Sequence, residues 1–277
     1  MIEHVDVDVG DDLRLHVASS GQGSALLMLH GFTGSATTWD FLRPALEDRH
    51  RLIAVDLPGH GRSSSPSDPG RYSLDRLAVD LSALLDSLDV ERAAIMGYSM
   101  GGRAALRFAV AQPNRISALI LESTSPGLRD AAERDARATS DALLADAIER
   151  DGVEAFVSRW ERLPLWQSQR AMPDAGRKAL REQRLANNAR GLANSLRGAG
   201  SGAYQDVLNV ARSIVSPALI IVGELDTKYV DLGRQLAHAI PNATLQIVGN
   251  CGHAVHLEKP DAFAASIGSF LAAIPAA

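Results

Sequence analysis

The 277-residue sequence contains one cysteine, Cys251, which excludes an internal disulfide. A reducing compartment is the natural home of such a chain, and Cys251 reads as a small packing residue. Aromatic residues make up only 5% of the chain, so its core must rest on aliphatic side chains. No apolar run approaches the ~20 residues that a membrane-spanning helix needs. The opening stretch, Met1-Ile2-Glu3-His4-Val5-Asp6, carries neither the basic nor the apolar segment of an export signal. A cytoplasmic location away from membranes is the expectation. Positive charge is not in excess either, because 28 Lys and Arg stand against 33 Asp and Glu. That balance argues against a nucleic-acid partner and leaves room for a local basic pocket. A zinc site at His253 and His256 fails for want of further ligands with suitable spacing. No metal and no cofactor is expected.

What is present is the pattern of a globular α/β chain. Hydrophobic content of 46% and charged content of 22% are ordinary values, and the length suits one large core. Continuous apolar runs at 25–29, 52–55, 93–96, 118–121 and 218–222 read as strands buried on both faces. Residues 4–9 and 13–18 alternate as a hairpin with one wet face. Helical patterns fall between the runs. One is expected at 38–46; another, at 73–88, has apolar residues at 74, 77, 78, 81, 84, 85 and 88 and a Ser73 cap. Alternating strands and helices imply a mostly parallel sheet flanked by helices. The strand pattern stops between Pro126 and Ala211, where charges and helical patterns accumulate. The expected organisation is therefore a core of 1–125 and 212–277, with 126–211 inserted as a helical cap.

The chemistry centres on Gly97-Tyr98-Ser99-Met100-Gly101, set between the apolar run at 93–96 and a helical pattern at 104–112. Gly-x-Ser-x-Gly between strand and helix is the nucleophile elbow of the α/β-hydrolase fold, in which a tight turn presents a serine at the sheet's edge. A serine needs an imidazole, and the imidazole needs a carboxylate to orient it. In this fold the partners follow in the order serine, acid, histidine. His253, in Asn250-Cys251-Gly252-His253, follows the last strand pattern and fits the base; His256 reads as structural. Gly223-Glu224-Leu225-Asp226 offers two acids, of which Asp226 lies deeper in its loop. The loop His30-Gly31-Phe32-Thr33-Gly34 nominates the Phe32 amide, beside that of Met100, for a developing oxyanion.

A narrower resemblance runs along nearly the whole chain. The elbow as far as Arg103 is similar to that of the 2-succinyl-6-hydroxy-2,4-cyclohexadiene-1-carboxylate synthases of menaquinone biosynthesis. So are Leu121-Glu122-Ser123-Thr124-Ser125-Pro126-Gly127-Leu128, Trp160 with Leu163-Pro164-Leu165-Trp166, and Gln183-Arg184-Leu185-Ala186-Asn187-Asn188. Gly223-Glu224-Leu225-Asp226-Thr227-Lys228-Tyr229 and Gly252-His253-Ala254-Val255-His256-Leu257-Glu258 complete the set. The resemblance implies a lyase that removes pyruvate by proton abstraction, with Ser99 as base and no acyl-enzyme. It implies a small substrate with several carboxylates, contacted by Tyr98, Arg103, Arg137, Trp160 and Arg184.

Each of these positions has a plainer reading from spacing alone. Arg103 and Arg107 could be an exposed helix stripe, as could Arg134 with Arg137, and Arg177 and Arg181 with Arg184. Trp160 could be cap core. Two other functions use the same fold: a carboxylesterase or carbon–carbon bond hydrolase with Ser99 as nucleophile, and a non-catalytic small-molecule receptor. The arginines of the inserted stretch favour an anionic ligand. The sequence leaves oligomeric state open.

Overall fold

The computed structural model describes residues 1–274. Eight strands form one sheet in the order β1-β2-β4-β3-β5-β6-β7-β8. They are β1 (Glu3–Asp8), β2 (Arg14–Ser20), β3 (Ser24–Leu29), β4 (His50–Val55), β5 (Ala93–Tyr98), β6 (Ile116–Glu122), β7 (Ala218–Gly223) and β8 (Ala243–Val248). Only β2 runs antiparallel to its neighbours; every pairing from β4 to β8 is parallel. The apolar runs form its buried centre because successive side chains of a strand point to opposite faces. Leu27, Leu29, Ile95, Leu119 and Ile220 pack one face against helices Leu74–Ser87 and Met100–Ala111. Leu26, Met28, Met96, Ile120 and Ile221 pack the other, with Trp39 and Phe263. Each such fully buried aliphatic side chain contributes roughly 1.5–3 kcal/mol relative to exposure.

Two local expectations need correction. The wet face of the hairpin belongs to β1 alone: β2 lies between β1 and β4 and is buried from Leu15 to Ser20. The helix expected at 38–46 is a 3-10 helix, Ala36–Leu42, followed by one α turn, Arg43–Leu46, with Pro44 near its start. Proline has no N–H to extend the preceding helix, so the chain restarts there.

Between β6 and β7 the chain is helical. The long helix Ala131–Trp160 bends at Gly152, whose φ of 82° suits a residue without Cβ. Asp174–Leu185 and Ala189–Ala199 follow. Ile148, Phe156, Val157, Leu192 and Leu196 give this stretch a core of its own, against which Phe32 from the loop after β3 packs. The helical stretch therefore meets the sheet where the strands end.

Candidate active site

The elbow is strained by design of its backbone. Ser99 has φ 52° and ψ −105°, between the end of β5 and the helix that begins at Met100. Its N–H donates to the Glu122 carbonyl at 2.9 Å, and its carbonyl accepts from the Arg103 N–H at 3.1 Å. A Cβ at Gly97 would collide with the Gly101 carbonyl, and one at Gly101 with the Leu29 carbonyl. Only glycine leaves room there for strand and helix to approach so closely.

Two loops bring partners to the serine. After β7, Asp226 reaches His253 Nδ1 with Oδ2 at 2.6 Å; His253 Nε2 lies 3.0 Å from Ser99 Oγ. Asp226 and not Glu224 therefore meets the imidazole. Glu224 instead accepts the Asn250 N–H at 3.0 Å and steadies the histidine loop. Glu258 does the same from below, accepting the Gly252 N–H at 2.8 Å. The ring of His253 is enclosed by Tyr229, Tyr98 and Trp166, at centroid distances of 4.4, 5.4 and 5.6 Å. His256 is structural, as expected: its backbone N–H and Nδ1 both reach the buried Glu122 carboxylate, at 3.0 and 2.9 Å.

Ser99, Asp226 and His253 face a cavity of about 330 Å³. Phe32 and Met100 line it too, and Met100 opens its helix, where backbone N–H groups have no partner within the helix. The helix dipole adds positive potential at that point. Recesses of about 550 and 560 Å³ open elsewhere, beside Arg71 and His16, but neither touches the Ser99–His253 pair.

Four of the five expected ligand contacts line this cavity: Tyr98, Arg103, Arg137 and Trp160. Arg103 is buried, yet among the described residues its guanidinium hydrogen-bonds only to neutral oxygens, the Ala199 carbonyl and Ser201 Oγ, each at 2.7 Å. Its Nε has no partner among the described residues. Burial pulls its pKa down. Arg137 is half exposed and paired to the buried Asp141 at 2.8 Å. Trp160 packs edge-on against Phe32, with its buried Nε1 unpartnered among the described residues. Burial also raises the Tyr98 phenol far above its ordinary pKa, so it stays a neutral hydroxyl.

Arg184 is placed differently. It lines a smaller adjoining cavity of about 30 Å³, across a wall formed by Phe32, Tyr98 and Trp166. There it bonds Glu161 at 3.2 Å and lies 5.5 Å from the Trp166 ring centre. Two arginines of the possible helix stripes are partly exposed and paired away from the cavity: Arg107 with Asp75, and Arg181 with Glu161. Sequence reasoning missed Lys228, Ser195 and Ser201 as cavity residues. Lys228 had a signal, since it lies two residues beyond Asp226; the serines had none.

No group of three or more His, Cys, Asp or Glu side chains suited to a metal ion occurs among the described residues. Likewise no helix there is long and apolar enough to cross a membrane.

Comparison with known proteins agrees with this architecture. Residues 24–260 match the family described as the alpha/beta hydrolase fold. A Bacillus subtilis (strain 168) protein provisionally named 2-succinyl-6-hydroxy-2,4-cyclohexadiene-1-carboxylate synthase is 42% identical, across 98% of this chain and 99% of its own. The Enterobacter sp. (strain 638) protein of that name is 33% identical, across 89% and 91%. The solved structure of MenH from S. aureus superposes with a TM-score of 0.89 at 34% identity, covering 92% of this chain and 97% of that one.

Proposed function

The chain belongs to the 2-succinyl-6-hydroxy-2,4-cyclohexadiene-1-carboxylate synthases of the α/β-hydrolase fold, enzymes of menaquinone biosynthesis, and from that membership we propose its reaction. The substrate is 2-succinyl-5-enolpyruvyl-6-hydroxy-3-cyclohexene-1-carboxylate, and the enzyme eliminates pyruvate from it. The ring hydrogen at C2 is acidified by the neighbouring succinyl ketone. Ser99 Oγ takes this proton while its own passes to His253 Nε2, and Asp226 holds the imidazole by Nδ1. The C2 electron pair forms C2=C3, the ring double bond shifts to C4=C5, and the C5–O bond breaks. Pyruvate leaves as its enolate and recovers the proton from the imidazolium. Charge building on the ketone oxygen faces the amides of Phe32 and Met100. No acyl-enzyme forms, and residues 126–211 act as a cap over residues 1–125 and 212–277.

The observation that carries this reading is Arg103, a buried guanidinium with no carboxylate partner among the described residues, one helical turn from Ser99. A desolvated cation held only by neutral oxygens is poised for an anion. The substrate brings three carboxylates; an apolar ester brings none. The test measures pyruvate release from the pathway intermediate beside p-nitrophenyl ester hydrolysis. Ester hydrolysis without pyruvate release would make Ser99 the nucleophile of a carboxylesterase.

A further inference from the structure

The loop that carries the Phe32 amide is held on two sides. From the core, His30 bridges it: Nδ1–H donates to the Gly31 carbonyl at 2.7 Å, and Nε2 accepts from the Leu57 N–H at 3.0 Å. From the helical stretch, Asn187 Nδ2 donates to the Thr33 carbonyl at 2.9 Å, and Asn187 Oδ1 accepts from the Gly61 N–H at 3.3 Å. Thr33 has φ 70°, in the left-handed region that disfavours a residue with a Cβ. Such a conformation persists only where its surroundings fix it, and here the fixing bond falls on the carbonyl of the strained residue itself.

Asn187 also ties this loop to the helix bearing Arg184. The same Nδ2 reaches the carbonyls of Gln183 and Arg184, each at 3.2 Å. Asn187 is 7% exposed, so these bonds act in a low-dielectric setting. Its neighbour does the ordinary helix work: Asn188 caps the helix Ala189–Ala199 by accepting the Gly191 N–H at 3.0 Å. Adjacent asparagines thus divide two jobs between them.

We infer that Asn187 is a positioning residue that fixes the Phe32 amide from the helical side and joins it rigidly to the end of the Arg184 helix. The inference rests on the reading of that amide as an oxyanion donor. Asparagine suits the place because it donates and accepts at once; aspartate keeps the acceptor for Gly61 but loses the donor for Thr33.

The experiment compares Asn187→Ala, Asn187→Asp and Asn188→Ala with the wild type in pyruvate release, KM and Tm. Loss of one oxyanion donor costs about 10²–10³ in kcat, so a misplaced donor should cost roughly ten- to a hundredfold. Both Asn187 variants should fall by that factor in kcat, with KM changed less than about threefold. Asn188→Ala should lower Tm by about 2–4 °C and leave kcat near wild type. Wild-type kcat in Asn187→Asp would overturn the inference, as would an Asn187→Ala loss confined to KM or matched by Asn188→Ala at equal Tm. Absence of pyruvate release by the wild type would instead strike the reaction proposed above.

Discussion

Replacing Arg103 by methionine separates its charge from its packing, because the apolar stem is kept and the guanidinium lost. In the ligand-free protein the change cuts both ways. It removes a buried charge whose hydrogen-bond partners are neutral and which the Asp141 carboxylate offsets only at longer range, and it strands the Ala199 carbonyl, which in the wild type accepts from Nη2. Leaving one buried acceptor unpaired costs about 1–3 kcal/mol, and relief of the desolvated charge offsets part of it. Folding stability should therefore change by no more than about 2 kcal/mol. Binding has no such offset. A charge-assisted hydrogen bond from guanidinium to carboxylate is worth about 1.5–3 kcal/mol, so kcat/KM should fall roughly ten- to 150-fold. Arg103→Lys should recover only part of this, because ammonium lacks the planar fork. The assay is initial-rate pyruvate release, with urea unfolding of each variant alongside. A methionine variant within about threefold of wild-type kcat/KM would mean that Arg103 serves the Ala199–Ser201 turn and not the substrate.

Ser99→Ala, Asp226→Asn and His253→Ala should each remove most activity and leave the fold intact by circular dichroism. Because the three act as a unit, double variants should be little worse than the worst single one, and additive losses would break the relay apart. Arg137→Ala and Arg184→Ala should each lower kcat/KM several-fold at fixed salt, less than the loss at Arg103, whereas Arg107→Ala, Arg134→Ala and Arg181→Ala should stay within about twofold; equal effects in the two sets would remove the arginines from the site. Stability should fall on mild acidification. Burial lowers the pKa of His30 to about 4 and, with His30 as a charged neighbour, that of His60 to about 3. Both depressed values lie below the unfolded 6.5, so the unfolded chain binds protons that the native chain refuses as pH drops below 6.5. Each group then removes up to about 1.4 kcal/mol per pH unit until its native pKa is reached. The urea midpoint should drop between pH 7 and pH 5, and a flat midpoint would contradict the burial of these rings.

Much of this site was legible because it is written in short stretches. Strand, elbow and helix lie within one run of sequence, and glycines at 97 and 101 mark a turn that any Cβ would block. Asp226 follows the unmistakable apolar run of β7, and His253 follows the shorter, mixed pattern of the edge strand β8. The arginines were harder. Arg103 and Arg107 share a helix face by spacing, yet one is buried under the Ala199–Ser201 turn and the other reaches out to Asp75. The difference is made by a segment about a hundred residues away, which no local period encodes. The same holds for Ser195 and Ser201, which reach the cavity only because their segment folds back over Ser99.

Their existing partners also explain why the arginines are not equivalent, although the resemblance groups them together. Arg137 already has Asp141, and Arg184 already has Glu161, so a substrate carboxylate must displace or share an internal one at either place. At Arg103 it competes, among the described residues, with a carbonyl and a hydroxyl for the guanidinium's hydrogen bonds. Exchange of one carboxylate for another yields little net binding, because the desolvation of the cation has already been offset within the protein. A buried guanidinium without a carboxylate in hydrogen-bond contact recovers more of that cost when the ligand arrives. The same helix positions Ser99 and Arg103, joined by the hydrogen bond from the Arg103 N–H to the Ser99 carbonyl. In the proposed reaction, affinity for the anion is therefore concentrated beside the base, where holding the substrate also aligns its ring hydrogen with Ser99. The more distant pairs at Arg137 and Arg184 are better suited to selecting the substrate's shape than to holding it.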